Sequence, residues 1–285
     1  MRNRTAMLKG FLAGTFSLKE TLILALPTRI SPSRNTLMPK YTEFLREKSE
    51  EEIFLFLEKK YPGVFKDTLG KDLLPLIYEI VVMDQYKAKS FLTPDSVVID
   101  AGANIGIFSL FAALIAKEGK VFSFEPVKNI YEILKRNTEK FPRIKVFNQG
   151  LGEKEKIQKI LTSSGSHGIN ALTDSELATK NKKYFDGAED VKITTIDSVI
   201  KREKISRVDF IKIDTEGYEA QILEGAHETI KKWKPVIAMS AYHGKDDKKN
   251  LPRILKNICK EYVCELHKDA EEDLVCHVKN KCLDS

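Results

Sequence analysis

Val97-Val-Ile-Asp-Ala-Gly-Ala-Asn-Ile-Gly-Ile-Phe108 is the stretch on which the fold turns. Val97-Val98-Ile99 is short and fully apolar, the pattern of a strand buried on both faces of a parallel sheet. Asp100-Ala-Gly102-Ala-Asn104-Ile-Gly106 interrupts it, and Ile107 to Lys117 is then apolar nearly all round until Gly119. A buried strand, a glycine loop and an apolar helix in that order begin a doubly wound α/β unit.

The same rhythm continues downstream. Strands are expected at Lys120–Glu125, Ile144–Gln149, Val208–Ile213 and Val236–Ser240, with helices at Asn129–Phe141, Tyr218–Trp233 and Ile254–Glu261. Two late runs, Tyr262–Leu266 and Asp273–Val278, read as a hairpin. The expected fold is α/β: a Rossmann-like, mostly parallel seven-stranded sheet with helices on both faces and one antiparallel strand from that hairpin. Ile157–Leu161 and Val191–Thr195 read as two edge strands. Ser163 to Glu189 between them is polar and long enough to act as a lid.

Upstream, Tyr41–Tyr61 has helical spacing and stops at Pro62-Gly63. Leu73–Phe91 reads as a helix or helix pair, with Ile77, Ile80, Val81 and Tyr86 on one stripe. Residues 1–90 are therefore an N-terminal helical extension and residues 91–285 the sheet domain. Residues 1–40 carry seven basic side chains against the single acid Glu20, which accounts for the whole net charge of +6. Charge confined to an arm is not a folded nucleic-acid footprint. It fits a solvated arm, with peripheral membrane contact as the alternative. Lys9, Lys19 and Glu20 interrupt the apolar stretch Leu8–Leu26, so neither a spanning helix nor a signal peptide is expected. The expected location is cytoplasmic. Cys259, Cys264, Cys276 and Cys282 are too widely spaced for a zinc ribbon, so free thiols and no metal are expected, with a C-terminal disulfide as the alternative.

Four constellations carry chemistry. Gly102 permits a sharp turn, and Gly106 lets the helix start close to a ligand. The pattern is D-x-G-x-x-x-G, not the G-x-G-x-x-G that surrounds a pyrophosphate with bare N–H groups. A phosphate-free, cationic cofactor suits Asp100 and Asn104 better, which points to S-adenosylmethionine and away from a nicotinamide dinucleotide. Glu125, at the tip of the second strand, is placed to accept both ribose hydroxyls. Asp209-Phe-Ile-Lys-Ile-Asp214-Thr-Glu216-Gly-Tyr-Glu219 runs from strand into helix and sets Asp214 and Glu216 at the ligand-binding edge of the sheet. Glu219 reads equally as a helix cap. Lys212, in an otherwise apolar strand, calls for a carboxylate partner. Ser240-Ala-Tyr242-His243 ends the next strand, where His243 can take a proton from an acceptor. His167 is a weaker candidate for that role.

These residues resemble the FkbM family of methyltransferases over roughly Glu79 to Lys268. The resemblance rests on VVIDAGANIGIFSL, Phe124-Glu-Pro126, Gly150-Leu-Gly152, DFIKIDTEGYE and Ile222-Leu-Glu-Gly-Ala226. It implies a class I fold, S-adenosylmethionine as cofactor, and O-methylation of sugars, polyketides or similar small acceptors. It places Tyr86, Asp100, Gly102, Asn104, Gly106 and Glu125 with Gly150 and Leu151 near the cofactor, the last two on the adenine side. Asp214, Glu216 and His243 become the groups that orient or deprotonate a small-molecule or glycan acceptor. The departure is Ser240, where many members carry a glutamate. A cofactor-binding module without turnover and a nucleic-acid methyltransferase are the alternatives; the base-reading N-P-P-Y motif of the latter is absent.

Overall fold

The computed structural model describes residues 78–163, 171–173, 185–268 and 271–279. The N-terminal arm, His167, most of the expected lid and Cys282 lie outside them. The described chain begins with a π-helical turn, Tyr78–Val82, and a short helix α1, Ala88–Phe91. The strands and helices that follow are β1 Val97–Ala101, α2 Ile107–Ile115, β2 Lys120–Phe124, α3 Lys128–Thr138 and β3 Ile144–Phe147. Next come β4 Gly150–Leu151, β5 Lys156–Thr162, β6 Ala171–Leu172, β7 Gly187–Thr194 and α4 Ile196–Glu203. β8 Phe210–Ile213, α5 Glu219–Glu224, α6 His227–Trp233, β9 Val236–Ser240, α7 Asp247–Ile258, β10 Tyr262–His267 and β11 Asp273–Val278 complete it.

Seven strands form one sheet in the order β10-β11-β9-β8-β1-β2-β3. β3, β2, β1, β8 and β9 are parallel, while β11 runs antiparallel to both β9 and β10. This is the expected class I methyltransferase sheet. Side chains alternate across it. Ile99, Ala101, Ile211 and Ile213 enter a core shared with Ile196, Leu223, Ile230 and Leu255 of the helices that follow β7. Val98, Asp100, Phe210 and Lys212 face the other way, where Phe108 of α2 stacks on Phe210 at 6.0 Å. Both faces are covered, which is why β1 and β8 are apolar without alternation, apart from Asp100 and Lys212.

Several expectations change. Residues 157–161 and 191–195 are not edges of the main sheet: β5 and β7 pair antiparallel in a second, four-stranded sheet of order β4-β7-β5-β6. Of the two alternatives before β1, a helix or a helix pair, the described part shows two separate helical pieces, parted where Asp84 and Lys87 take left-handed backbone angles, φ 53° and 57°. By contacts, Glu79 to Ser285 form one compact unit. The helix expected over Ile254–Glu261 begins earlier, at Asp247, and carries Pro252 inside it. Cys264 and Cys276 are not free thiols. The β10–β11 register sets them directly opposite, Cα atoms 4.0 Å apart, and they form a disulfide, whereas Cys259 is free and buried.

The helix expected over 218–233 is two helices. A Cβ on Gly225 would lie 1.9 Å from the Gly152 carbonyl oxygen, so the two backbones meet there. The second helix starts afresh, with Asp197 accepting from the N–H groups of Glu228 and Thr229 and from the Thr229 hydroxyl at 2.6–2.9 Å. Asp197 thus supplies an N-cap from another element. Asp197→Ala is expected to cost about 1–2 kcal/mol, the usual worth of such a cap, seen as a lower urea midpoint at unchanged m-value. An unaltered midpoint would refute the cap. Among the described residues no helix is long and apolar enough to cross a membrane.

Candidate active site at the carboxyl edge of the sheet

The loop after β1 is held in shape by left-handed backbone at three of five positions: Gly102 (φ 73°), Asn104 (φ 49°) and Gly106 (φ 97°). Gly102 cannot carry a side chain, because its Cβ would lie 1.9 Å from the Asp214 carbonyl oxygen. Every backbone N–H from 102 to 106 is already engaged. Gly102 and Ala103 donate to the Phe124 carbonyl, Asn104 to Glu125 Oε2, Ile105 to the Asn104 side chain, and Gly106 to the Ala103 carbonyl. A loop with no spare N–H offers nothing to a pyrophosphate. It does fit a nucleoside cofactor without phosphates.

Glu125 ties this loop to β2. Its other oxygen accepts from the Val127 N–H at 2.9 Å, and the side chain is buried. Burial lifts its carboxyl to about 7, against the pull of the Val127 and Asn104 N–H groups and of Lys212. Asp100 is 0 % exposed, opposite Lys212 in the β1–β8 register, with its Oδ1 3.3 Å from Lys212 Nζ and its Oδ2 accepting from the Ser109 hydroxyl at 2.6 Å. Lys212 Nζ also donates to the Gly102 carbonyl at 2.7 Å. The carboxylate that Lys212 required is therefore Asp100, which lies beneath the loop. Leu151 is packed in the core, so any contact it makes with a cofactor is through backbone.

The tips of β8 and β9 build a second cluster. Asp214 accepts from the Tyr86 hydroxyl at 2.8 Å and the Ser240 hydroxyl at 3.0 Å. Burial pushes the Asp214 carboxyl up, but Lys212, His243 and those two hydroxyls outweigh it and hold the group below its ordinary range. Beyond it, Glu216 and Gly217 both take left-handed angles, φ 56° and 93°, turning the chain so that Glu216 faces His243. The His243 ring is buried. Its Nδ1 lies 3.0 Å from Glu219 Oε1, and its Nε2 lies 3.4 Å from Glu216 Oε2 and 3.8 Å from Asp214 Oδ1. Burial lowers the imidazole's basicity, but the three carboxylates overcome this and raise it to about 10, while burial lifts Glu216 to about 8. Glu219 caps and orients at once, accepting also from the N–H groups of Thr215 and Gly217.

The profile of the Methyltransferase FkbM domain matches residues 100–273, more than half of the chain. The chain belongs to that family. Among curated relatives, the FkbM domain here is similar to Methyltransferase sdnD of Sordaria araneosa, 27% identical over 180 residues, 53% of this chain and 68% of that one. It is likewise similar to Hexuronic acid methyltransferase AglP of Haloferax volcanii, 24% identical over 164 residues, 56% of this chain and 62% of that one. A 28% identical match over 181 residues, 52% of this chain, falls within the AMB antimetabolite synthetase AmbE of Pseudomonas aeruginosa, of whose length it covers only 8%. Among solved structures, the FkbM methyltransferase of Methylobacillus flagellatus superposes with a TM-score of 0.49 at 18% identity, covering 78% of this chain and 60% of that one.

Of the site residues expected from sequence, the FkbM domain brings Tyr86, Asp214, Glu216 and His243 into one cluster, and Gly102, Asn104 and Gly106 into one loop held by Glu125. Tyr86 stands at the acid cluster, its ring edge-on to Phe108 at 5.4 Å. Asp273 was not anticipated. It lies opposite Ser240 in the β11–β9 register, almost fully buried, with its Oδ1 3.4 Å from the Ser240 hydroxyl. Burial and the nearby Asp214 raise its carboxyl to about 8, against a hydrogen bond from Gln85. The adjacent strand thus sets a buried carboxyl group beside Ser240. Only the antiparallel register brings it there, so no sequence signal marks it.

Proposed function

We propose that this chain transfers a methyl group from S-adenosylmethionine to an oxygen of a small hydroxylated or sugar-type acceptor. The reading is carried by the loop 102–106, whose N–H groups are all satisfied within the protein. When bound, S-adenosylmethionine supplies a methyl group already activated by its sulfonium. Glu125 keeps a lone pair on each oxygen for the ribose hydroxyls while its N–H partners fix its direction. The backbone of Gly150 and Leu151 would border the adenine, and Asn104 the methionine end.

The acid cluster then faces the acceptor. Asp214, oriented by Tyr86 and Ser240 and held ionised, would accept a hydrogen bond from the reacting hydroxyl and receive its proton, with Glu216 and His243 beside it. Most of the rate gain expected of such a site comes from holding acceptor and donor in line, with little chemistry left to the protein. The likeness to a hexuronic acid methyltransferase favours a sugar acid as the first acceptor class to try.

Calorimetry should detect S-adenosylmethionine binding, weakened at least tenfold, about 1.4 kcal/mol, by Glu125→Ala. Labelled methyl transfer to uronic acids and related glycosides should follow. No binding by the intact chain, or binding indifferent to Glu125→Ala, would overturn the cofactor assignment. Binding without transfer to any hydroxylated acceptor would leave a module without turnover.

A further inference from the structure

The His243 ring poses an electrostatic problem that the methyl-transfer reading does not solve. Nδ1 is satisfied by Glu219, which makes it the protonated nitrogen in the neutral ring and leaves Nε2 with a lone pair. Nε2 is buried, has no hydrogen-bond partner among the described residues, and points at Glu216 Oε2 and Asp214 Oδ1. Either the proton that the raised basicity of the ring keeps on Nε2, or a bound cation in its place, can supply the positive charge that these converging oxygens require. A shared proton fits the distances badly. A charge-assisted N–H···O bond is about 2.7–2.9 Å long, whereas these gaps are 3.4 and 3.8 Å.

The 3.4 Å gap suits a metal ion instead, and the 3.8 Å gap would have to shorten on binding. Two ligands about 2.1 Å from one ion lie roughly 3.0–3.4 Å apart at octahedral or tetrahedral angles. We propose that His243 Nε2, Asp214 and Glu216 bind a divalent cation at the tips of β8 and β9. Glu216 Oε2 and Asp214 Oδ1 both lie on the Nε2 side of the ring, and Glu219 lies behind it at Nδ1. Glu219 then has a supporting part: by accepting from Nδ1–H it fixes the ring's tautomer and direction, as carboxylates behind metal-bound histidines do. The Tyr86 and Ser240 hydroxyls hold Asp214 in place in the same way.

One imidazole and two carboxylates select a first-row divalent ion such as manganese or zinc over a purely oxygen-seeking one. With three protein ligands, coordination positions stay open toward the pocket, where an acceptor hydroxyl would lose its proton more readily beside the ion. The ion's use in catalysis rests on the methyl-transfer reading; the site itself does not. No sequence motif announces it, because Asp214 and Glu216 come from one strand tip and His243 from the next.

The test is a titration of the chelator-treated, full-length chain with Mn2+, followed by electron paramagnetic resonance, with no cofactor or acceptor present. One saturable site per chain is expected, at least tenfold weaker in Glu216→Gln and in His243→Gln. Glu219→Ala should weaken it by roughly 10–100-fold through the ring's orientation. Co2+ in place of Mn2+ should give visible ligand-field bands that the two ligand variants lose. Glu216 is partly exposed at a loop, so Glu216→Gln should keep the wild-type melting temperature and separates loss of a ligand from loss of fold. Absence of a saturable site, or equal binding in Glu216→Gln and His243→Gln, overturns the proposal. Metal binding without S-adenosylmethionine binding would sink the methyl-transfer reading and leave the metal site standing; the reverse result does the opposite.

Discussion

Gly102→Ala is expected to abolish S-adenosylmethionine binding and to lower stability by about 3 kcal/mol, from left-handed strain plus a forced backbone shift. The new Cβ would meet the Asp214 carbonyl oxygen at 1.9 Å, its carbon at 3.0 Å and Thr215 Cγ2 at 3.1 Å. None of these is the free end of a flexible side chain. The tips of β1 and β8 must separate, and the residues that part are those carrying the cofactor loop on one side and Asp214 on the other. For a domain of this size that loss corresponds to a fall of about 6–12 °C in melting temperature. A variant melting within a degree of wild type would show that the loop relaxes freely, and the tight approach of the two strand tips would lose its meaning.

Lys212→Met should destabilise by about 3–5 kcal/mol, because it leaves Asp100 buried without its cation. The ion pair spans the two central strands, and the same ammonium holds the Gly102 carbonyl. Tyr86 closes the other side, with the ammonium 5.5 Å from its ring centre. The double variant Asp100→Asn with Lys212→Met removes the stranded charge and should recover part of the loss, since Asn keeps a partner for Ser109. Chemical denaturation measures both. If the double variant is as unstable as the sum of the two single ones, the pair is not coupled and the cost comes from packing alone.

Part of this could be read directly from residue order. Val97-Val98-Ile99 followed by Gly102 and Gly106 fits only a buried strand turning sharply into an apolar helix. Phe210-Ile-Lys-Ile213 repeats the pattern and demands a partner for its one charge. The reading stops where contacts are non-local. Nothing local shows that Lys212 stands opposite Asp100. Nor does anything local show Asp273 beside Ser240, which it reaches only through an antiparallel strand. Cys264 and Cys276 looked like free thiols for the same reason: their pairing is a property of the β10–β11 register.

The sequence by itself determined the sheet, the family and the loop after β1, since each follows from short-range spacing of apolar residues, glycines and acids. The tertiary structure alone decided what those groups do. Register set Asp100 under the loop on Lys212, and strand order brought Asp214 and Glu216 to one nitrogen of the His243 ring and Glu219 to the other. The physical reason is that strand pairing acts between residues far apart in the chain, and a buried charge takes its meaning from whichever partner that pairing supplies.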